Sequence, residues 1–501
     1  MSNDAKVIFL LKKYGPMLSG ELAQKFENEY GVSNNVARQA VSRAKKSVKK
    51  LYALSFEKNQ KFIYLTEQYS SFEYYENLLE AIQKYSKLNW IYICAFLSQS
   101  GYVSKSVLPS MVSSPIKNVK GHKLYQKVIE DMLKCHIIEE YDETKWTLSY
   151  FPNLPSNNLS RAIGIEVVKK QIINDFTKLI KNINLVAYDS IKLFTDSAEF
   201  SKFQWAFTAP SYIQPLYNME LKKNGFVIGD VFYGKVATEE DVMFFINKLN
   251  IIRKFKRLPA FLPILIVESV TPDAQKLLKA NKVVIAFIKE IFGQGYVELL
   301  SEIVKIFTNA SAIISKNPEQ LEKVFSEISK SEGKYNDIVG DMFELMVGYY
   351  YQKIGSEYLE IGKNIYDPDS DAKNEIDLLV RREGKIIIVE CKATRSPIDG
   401  IFAEKWLTKN IPQTQRWLNK EYGNIKNFEF QLWSLGGFTT EANSLLKKAS
   451  DNTKKYKIEY FNYSQIIDMA KEKNVHVLVK ILRDHFDSYI KANDKIGKFI
   501  K

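Results

Sequence analysis

Residues 385–393 read Lys-Ile-Ile-Ile-Val-Glu-Cys-Lys-Ala. Four consecutive branched apolar residues describe a strand covered on both faces, the pattern of an interior strand. Two charges end the run. Glu390 and Lys392 stand two residues apart and so share one face, with Cys391 on the other. A covered strand carries charges only where they are paired or hold a cation. Just upstream, Glu375-Ile376-Asp377-Leu378-Leu379-Val380 and a turn at Arg381–Gly384 make this strand the second arm of a hairpin. That hairpin can bring the Asp377 carboxylate beside Glu390. Two carboxylates held together repel, and a hard divalent cation relieves the repulsion while keeping its waters. The oxygen-only ligand set favours Mg2+ or Mn2+ over zinc.

The chain around this hairpin is too long for one ordinary core: 501 residues suggest about three or four units. Apolar residues at 46% and charged residues at 26% describe a folded soluble protein. Lys plus Arg is 71 against Asp plus Glu at 58, a net charge of +13 that suits a polyanionic partner. A Lys-, Asn- and Ile-rich composition equally fits the coding bias of an AT-rich genome. Three cysteines (Cys94, Cys135, Cys391) exclude a disulfide scaffold, and no Cys or His pair has zinc-ligand spacing. Met1–Lys6 lack the charged-then-apolar pattern of a signal peptide, and the apolar runs Leu258–Val267 and Val283–Ile288 are too short or interrupted to span a bilayer. A cytoplasmic protein without a membrane partner is expected.

Residues 1–69 are expected to form a winged helix, a helix-turn-helix variant. Helical spacing of Val7, Ile8, Leu10 and Leu11 stops at Gly15-Pro16. Ser19 is read as the cap of a second helix that Gly31 ends, and Ser33 as the cap of a third from Asn34 to about Lys46. Leu51, Ala53 and Phe62–Leu65 then flank a polar turn at Glu57–Gln60. The third helix and its exit hold Arg38, Arg43, Lys45 and Lys46 without an acid, with Asn34, Asn35 and Gln39 near its start, where base edges are read. These residues are the candidate DNA contacts, and a solvated basic face is the plain alternative. Residues 70–155 read as a second winged-helix-like unit, from a helix at His122–Lys134 followed by strand, turn and strand up to Leu148. Its helix is less basic, so protein contact or scaffolding suits it as well as DNA reading.

Residues 156–307 alternate helices and strands, an α/β domain. Gly229–Lys235 read G-x-x-x-x-G-K after an apolar strand, close to a phosphate-binding loop. Val236 stands where a hydroxyl must reach the metal, so a strand and its turn is preferred. Thr271–Lys279 (Thr-Pro-Asp-Ala-Gln-Lys-Leu-Leu-Lys) parallel Thr439–Lys447 (Thr-Thr-Glu-Ala-Asn-Ser-Leu-Leu-Lys). Either this domain is an inactive copy of the C-terminal one, with Tyr233 where an acid belongs, or the motif is a capped amphipathic helix start. A linker helix is expected at 308–330. In 331–501 a helix at Asn336–Gln352, a loop rich in Asp, Pro and Asn, the hairpin, and alternating helices and strands suggest a mixed sheet flanked by helices.

Asp377, Glu390-Cys391-Lys392 and an upstream helical Glu344 resemble the PD-(D/E)xK nuclease superfamily, the restriction-endonuclease-like fold. Gly340-Asp341-Met342-Phe343-Glu344 is similar to the G-x-x-F-E helix of resolvase-like members. Gly436–Ala442 resembles the segment after the active site in methylation-dependent restriction enzymes. Gln413 and Gln415 fall where some members place a helical Gln. Ile376 replaces the Pro that the family carries before its hairpin Asp, while a literal Pro-Asp occurs at Pro368-Asp369. Asp377 is preferred because its strand leads into the hairpin. The resemblance, over about the last third of the chain, implies a Mg2+-dependent (or Mn2+-dependent) DNA endonuclease. Asp377, Glu390, the Cys391 carbonyl and Glu344 would hold the metal, and Lys392 would act on the attacking water, with Gln413 assisting. The order of modules resembles type IIS restriction endonucleases, which points to restriction or phage defence. Resolvase, repair and transposition nucleases share the pattern, and RNA remains open as a substrate. The alternative is a DNA-binding regulator or scaffold with a silent nuclease fold. Double-strand cutting by one site requires a homodimer or sequential nicking.

Overall fold

The computed structural model describes residues 2–45, 47–187, 190–194, 198–217, 224–309, 336–369, 373–394, 396–423 and 427–483. The chain divides into two compact units, Met1–Glu298 and Leu299–Lys501.

The first unit opens with α1 (Asn3–Tyr14), β1 (Met17–Leu18), α2 (Ser19–Tyr30), α3 (Asn34–Arg43), β2 (Val48–Leu51) and β3 (Phe62–Leu65). The strands form an antiparallel sheet in the order β1-β3-β2, and Val7, Leu10, Phe26, Ala37, Val41 and Ile63 share one core. Two local details differ from expectation. Leu18, not Ser19, is the cap residue of α2, because the Ser19 hydroxyl accepts the Lys61 N–H at 3.2 Å. Helix α3 stops at Arg43: Ala44 turns to extended ψ and is buried, which leaves Lys45 beyond the helix. Lys46 lies outside the described residues.

Next come α4 (Phe72–Tyr85), α5 (Lys87–Ser98), β4 (Tyr102–Ser104), α6 (Tyr125–Lys134), β5 (Ile138–Glu140) and β6 (Lys145–Leu148), with an antiparallel sheet β4-β6-β5. The unit continues through α7 (Leu159–Asn182), β7 (Lys192–Leu193), β8 (Glu199–Phe200), β9 (Phe203–Gln204), β10 (Phe207–Ser211), β11 (Gly225–Phe232), α8 (Glu239–Ile252), β12 (Phe261–Val267), α9 (Pro272–Ala280), β13 (Val284–Phe287) and α10 (Ile288–Phe292). The division between units falls within α11 (Gln294–Thr308). The five-stranded sheet runs β13-β12-β11-β10-β7. Its β7, β10 and β11 are antiparallel, whereas β11, β12 and β13 are parallel. Gly229–Lys235 are the end of β11 and its turn. Gly234 takes φ 105, open to glycine, and Lys235 pairs with Asp241 at 2.9 Å.

The second unit holds α12 (Asn336–Lys353), β14 (Tyr358–Tyr366), β15 (Lys373–Arg382), β16 (Lys385–Lys392), α13 (Gly400–Lys405), a π-turn at Trp406–Asn410, α14 (Ile411–Glu421), β17 (Phe428–Ser434), α15 (Thr440–Asn452), β18 (Lys457–Asn462) and α16 (Tyr463–Glu472). Its sheet runs β14-β15-β16-β17-β18, antiparallel across the first three strands and parallel across the last three. The hairpin strand β16 is therefore central, and Ile386–Val389 are all buried, as their sequence requires. The segment read as a loop before the hairpin is partly the edge strand β14. Its alternation is broken by Gly362 at φ 67 and by Lys363, which hides the pattern of Leu359, Ile361 and Ile365.

The linker helix expected at 308–330 falls almost wholly outside the described residues. Among the described residues no helix is long and apolar enough to cross a membrane. One face of the second sheet packs Ile386, Ile388, Phe430 and Leu432 against Trp406, Leu418 and Leu446. Phe430 is 1% exposed. Phe430→Ala is expected to lower the unfolding free energy by about 3–5 kcal/mol in urea titrations.

Candidate active site

Strands β15 and β16 pair Leu378 with Val389, so the next position sets Asp377 opposite Glu390. The alternation of a strand turns Glu390 and Lys392 to one face and the buried Cys391 to the other. The Asp377 carboxylate accepts the Cys391 backbone N–H at 2.7 Å and lies 4.0 Å from Lys392 Nζ. Lys392 Nζ reaches Glu390 Oε1 at 2.7 Å and stands 5.5 Å from the Phe402 ring centre of α13. Helix α12 packs against β16, and the Glu344 carboxylate contributes to the field felt by both Cys391 and Lys392. Three of the expected residues, Asp377, Glu390 and Lys392, thus meet at the carboxyl end of the central strand. Lys392 is 29% exposed, so solvent can reach the trio.

The electrostatics follow from this placement. Burial, then the charge of Glu390, push the Asp377 carboxyl up to about 8, against the pull of Lys392 and the Cys391 N–H. Burial acts to lower the Lys392 ammonium, but Glu390, Asp377 and Glu344 outweigh it and raise it above its usual value. Burial also drives the Cys391 thiol well up, so its sulfur stays protonated and is no thiolate ligand.

Among the described residues no three acidic, Cys or His side chains converge into a ready-made metal cage. The donor chemistry nevertheless fits one hard cation. Asp377 and Glu390 are carboxylates on one face of the hairpin, the hard oxygen donors that such a cation takes.

The other expected residues are dispersed. Gln413 sits half-buried in the first turn of α14. Asp369, from the literal Pro-Asp, is an exposed loop residue 3.3 Å from Arg416. Helix α3 exposes Asn35, Arg38, Gln39 and Arg43, with Lys45 beyond its end also exposed. Asn34 is exposed too, but its amide donates to Glu27 at 2.8 Å.

Two features escaped the reading of the sequence. Gly362 lies across from Asp377 in the β14–β15 register, and its positive φ interrupts the ladder beside the carboxylate. Asp367, 1% exposed, takes a bidentate grip from Arg416 at 2.8 and 2.6 Å and ties the end of β14 to α14. Arg416 follows Gln413 by three positions on the same helix, the one sequence signal that links the pair to the site.

A carboxyl raised when folded binds a proton that the unfolded chain has lost. Its stabilising contribution is complete below about pH 4 and disappears as pH rises through about 8. In chelator, Asp377→Asn is expected to raise the unfolding free energy at pH 9 by on the order of 1–3 kcal/mol while changing it little at pH 4. Denaturant titrations at the two pH values measure this.

The nuclease-related domain family (NERD) matches residues 339–445, which span Glu344, Asp377, Glu390, Lys392 and Gln413. No curated protein matches the chain. One solved structure, of a protein of unknown function, is 16% identical over 27% of this chain and 67% of its own, with a TM-score of 0.20. The C-terminal part of the chain is thus similar to nuclease-related domains.

Proposed function

We propose that the protein is a Mg2+-dependent DNA endonuclease (Mn2+ substituting) that reads DNA through an N-terminal winged helix and cuts it with Asp377, Glu390 and Lys392. The observation that carries this reading is the trio at the end of β16: two carboxylates and a lysine, brought together inside the stretch similar to nuclease-related domains.

Asp377 and Glu390 would hold the cation, with the Cys391 carbonyl and Glu344 completing the set as the PD-(D/E)xK resemblance implies. When bound there, the cation would supply Lewis-acid polarisation of the scissile phosphate and stabilisation of charge on the leaving oxygen. Lys392 exchanges its contact with Glu390 for one with the attacking water and orients it towards phosphorus. The Cys391 N–H fixes the Asp377 carboxylate against rotation. Gln413 assists from the first turn of α14.

The order α1-β1-α2-α3-β2-β3 with sheet β1-β3-β2 supports the winged-helix reading of residues 1–69. The exposed acid-free face of Asn35, Arg38, Gln39 and Arg43 supports its use on DNA. Residues 70–155 are the second such unit. Separate reading and cutting modules suit restriction or phage defence, and a homodimer would supply the two cuts of a duplex.

The 2.7 Å Lys392–Glu390 pair favours one rival: a DNA-binding scaffold whose nuclease fold is held silent by that ion pair.

Plasmid incubated with the protein and Mg2+ separates the two. Nicking or linearisation that falls at least a hundredfold in Asp377→Ala and in Lys392→Ala supports the enzyme. Salt-sensitive binding without cleavage supports the scaffold. Arg38→Ala and Arg43→Ala are each expected to weaken binding of duplex DNA and to reduce the salt slope by about one, with the protein's fold intact by circular dichroism.

A further inference from the structure

The two five-stranded sheets share one plan. In each, three strands are antiparallel, the last of them is central, and two parallel strands follow through helical crossovers. Each is preceded by one helix that packs on it, α7 or α12. The correspondence extends to single hydrogen bonds. After the central strand, Ala237 bridges Val270 in parallel, and Ile398 bridges Phe438 likewise. Thr271 N–H donates to the Ala237 carbonyl at 2.9 Å, and Thr439 N–H donates to the Ile398 carbonyl at 2.9 Å. The hydroxyls of Thr271 and Thr439 then cap α9 and α15 through the N–H groups of Ala274 and Ala442.

Register and face together assign the site positions. Phe232 pairs with Val267 as Lys392 pairs with Ser434. Asp230 faces the crossover helix α8, through Lys248, as Lys392 faces Phe402 of the crossover helix α13. Asp230 therefore occupies the place of Glu390, and Phe232 that of Lys392. Phe207 pairs with Gly229 as Leu378 pairs with Val389, which puts Ala206 at the place of Asp377. Tyr233, read from sequence as the residue at the acid position, is three residues beyond Asp230 and past the end of the strand.

The acid that survives already has a cationic partner. Asp230 is 2% exposed, and Lys248, 0% exposed, holds its carboxylate at 2.9 Å. The same ammonium donates to the carbonyls of Gln204, at 2.9 Å, and Ser110. Three oxygens around a fully buried cation make a site already filled by a side chain. Ser110 belongs to the segment that follows β4, and that segment covers this end of the sheet. Ser104 donates to Glu166 of α7 at 2.6 Å, Gln204 donates to the Ser106 carbonyl at 3.0 Å, and the Ile116 N–H donates to the Lys202 carbonyl at 2.9 Å. Val107, Ser110 and Met111 line one small cavity together with Asp230.

We infer that residues 159–292 are a second copy of the C-terminal sheet unit, closed to metal by the tethered ammonium of Lys248 and converted into the mount for residues 104–116. The end of the sheet where the C-terminal unit would admit a phosphodiester here holds the preceding module in place. Among the described residues this leaves one such sheet end open to a cation, not two. The comparison with a metal site rests on the proposed cleavage reading, but the mounting role does not.

Hydrogen exchange on the full chain tests the mount. The double substitution Asp230→Asn with Lys248→Met removes both charges together, leaving no orphaned ion, and strips the donor from the Ser110 and Gln204 carbonyls. Exchange in peptides covering 104–116 is expected to rise more than tenfold, with peptides of β16 and β17 unchanged. The milder Ser104→Ala is expected to give a smaller rise in the same peptides. Unchanged exchange at 104–116 in both variants overturns the mount. Mn2+ titration followed by electron paramagnetic resonance tests the closure. Tight binding is expected to vanish in Asp377→Asn with Glu390→Gln, and residual tight binding removed by Asp230→Asn overturns it. A wild-type chain without tight Mn2+ binding contradicts the cleavage reading, while the exchange result still decides the mount.

Discussion

The structure of the second unit turns on the repulsion between two carboxylates, Asp377 and Glu390, placed opposite one another at the end of a strand whose other residues are dry. Nothing in the packing requires acids there. Ile386, Ile388 and their neighbours are apolar and buried, and burial, then the charge of Glu390, pushes the Asp377 carboxyl up to about 8. Lys392 relieves part of it by pairing with Glu390. A residue set that destabilises a sheet at one point is the kind that persists for chemistry rather than for folding.

The two sheets answer the same problem in opposite ways. In the first unit the acid at the end of the central strand is neutralised from within, by a lysine that also ties in two backbone carbonyls. In the second unit the lysine comes from the same strand, stays 29% exposed, and leaves a second carboxylate beside the first. An internal ammonium cannot be exchanged, whereas a site that shares its charge with solvent can take up an ion and a substrate. The contrast separates two similar sheets: one carries an acid paired from within, the other two carboxylates beside a partly exposed lysine.

Much of this was legible because the decisive residues are short-range. Glu390 and Lys392 declare their shared face by spacing alone, and the hairpin turn at Arg381–Gly384 brings Asp377 across without any knowledge of the tertiary fold. The alternation of helices and strands in 156–307 was readable, and in the structure β11 starts at Gly225 and α8 behind the Thr238 capping box. The edge strand β14 was not, because Gly362 and Lys363 break its alternation, and the reason for the glycine, its position across from Asp377, is visible only in the register. The Arg416–Asp367 grip spans 49 positions and leaves no local trace. The place of Asp230 was missed for a similar reason: a shift of a few residues along β11 moves the acid from the turn back into the strand, and only pairing with β10 and β12 fixes it. The basic face of α3 was evident from composition, but its end at Arg43 depends on Ala44 being drawn into the core.

The most direct measurement of the central claim is an anomalous difference map from crystals of the protein grown with Mn2+. The account predicts a peak between the carboxylates of Asp377 and Glu390, with Lys392 Nζ released from Glu390 to face solvent. A map without density there, with Lys392 still closed on Glu390, would contradict it.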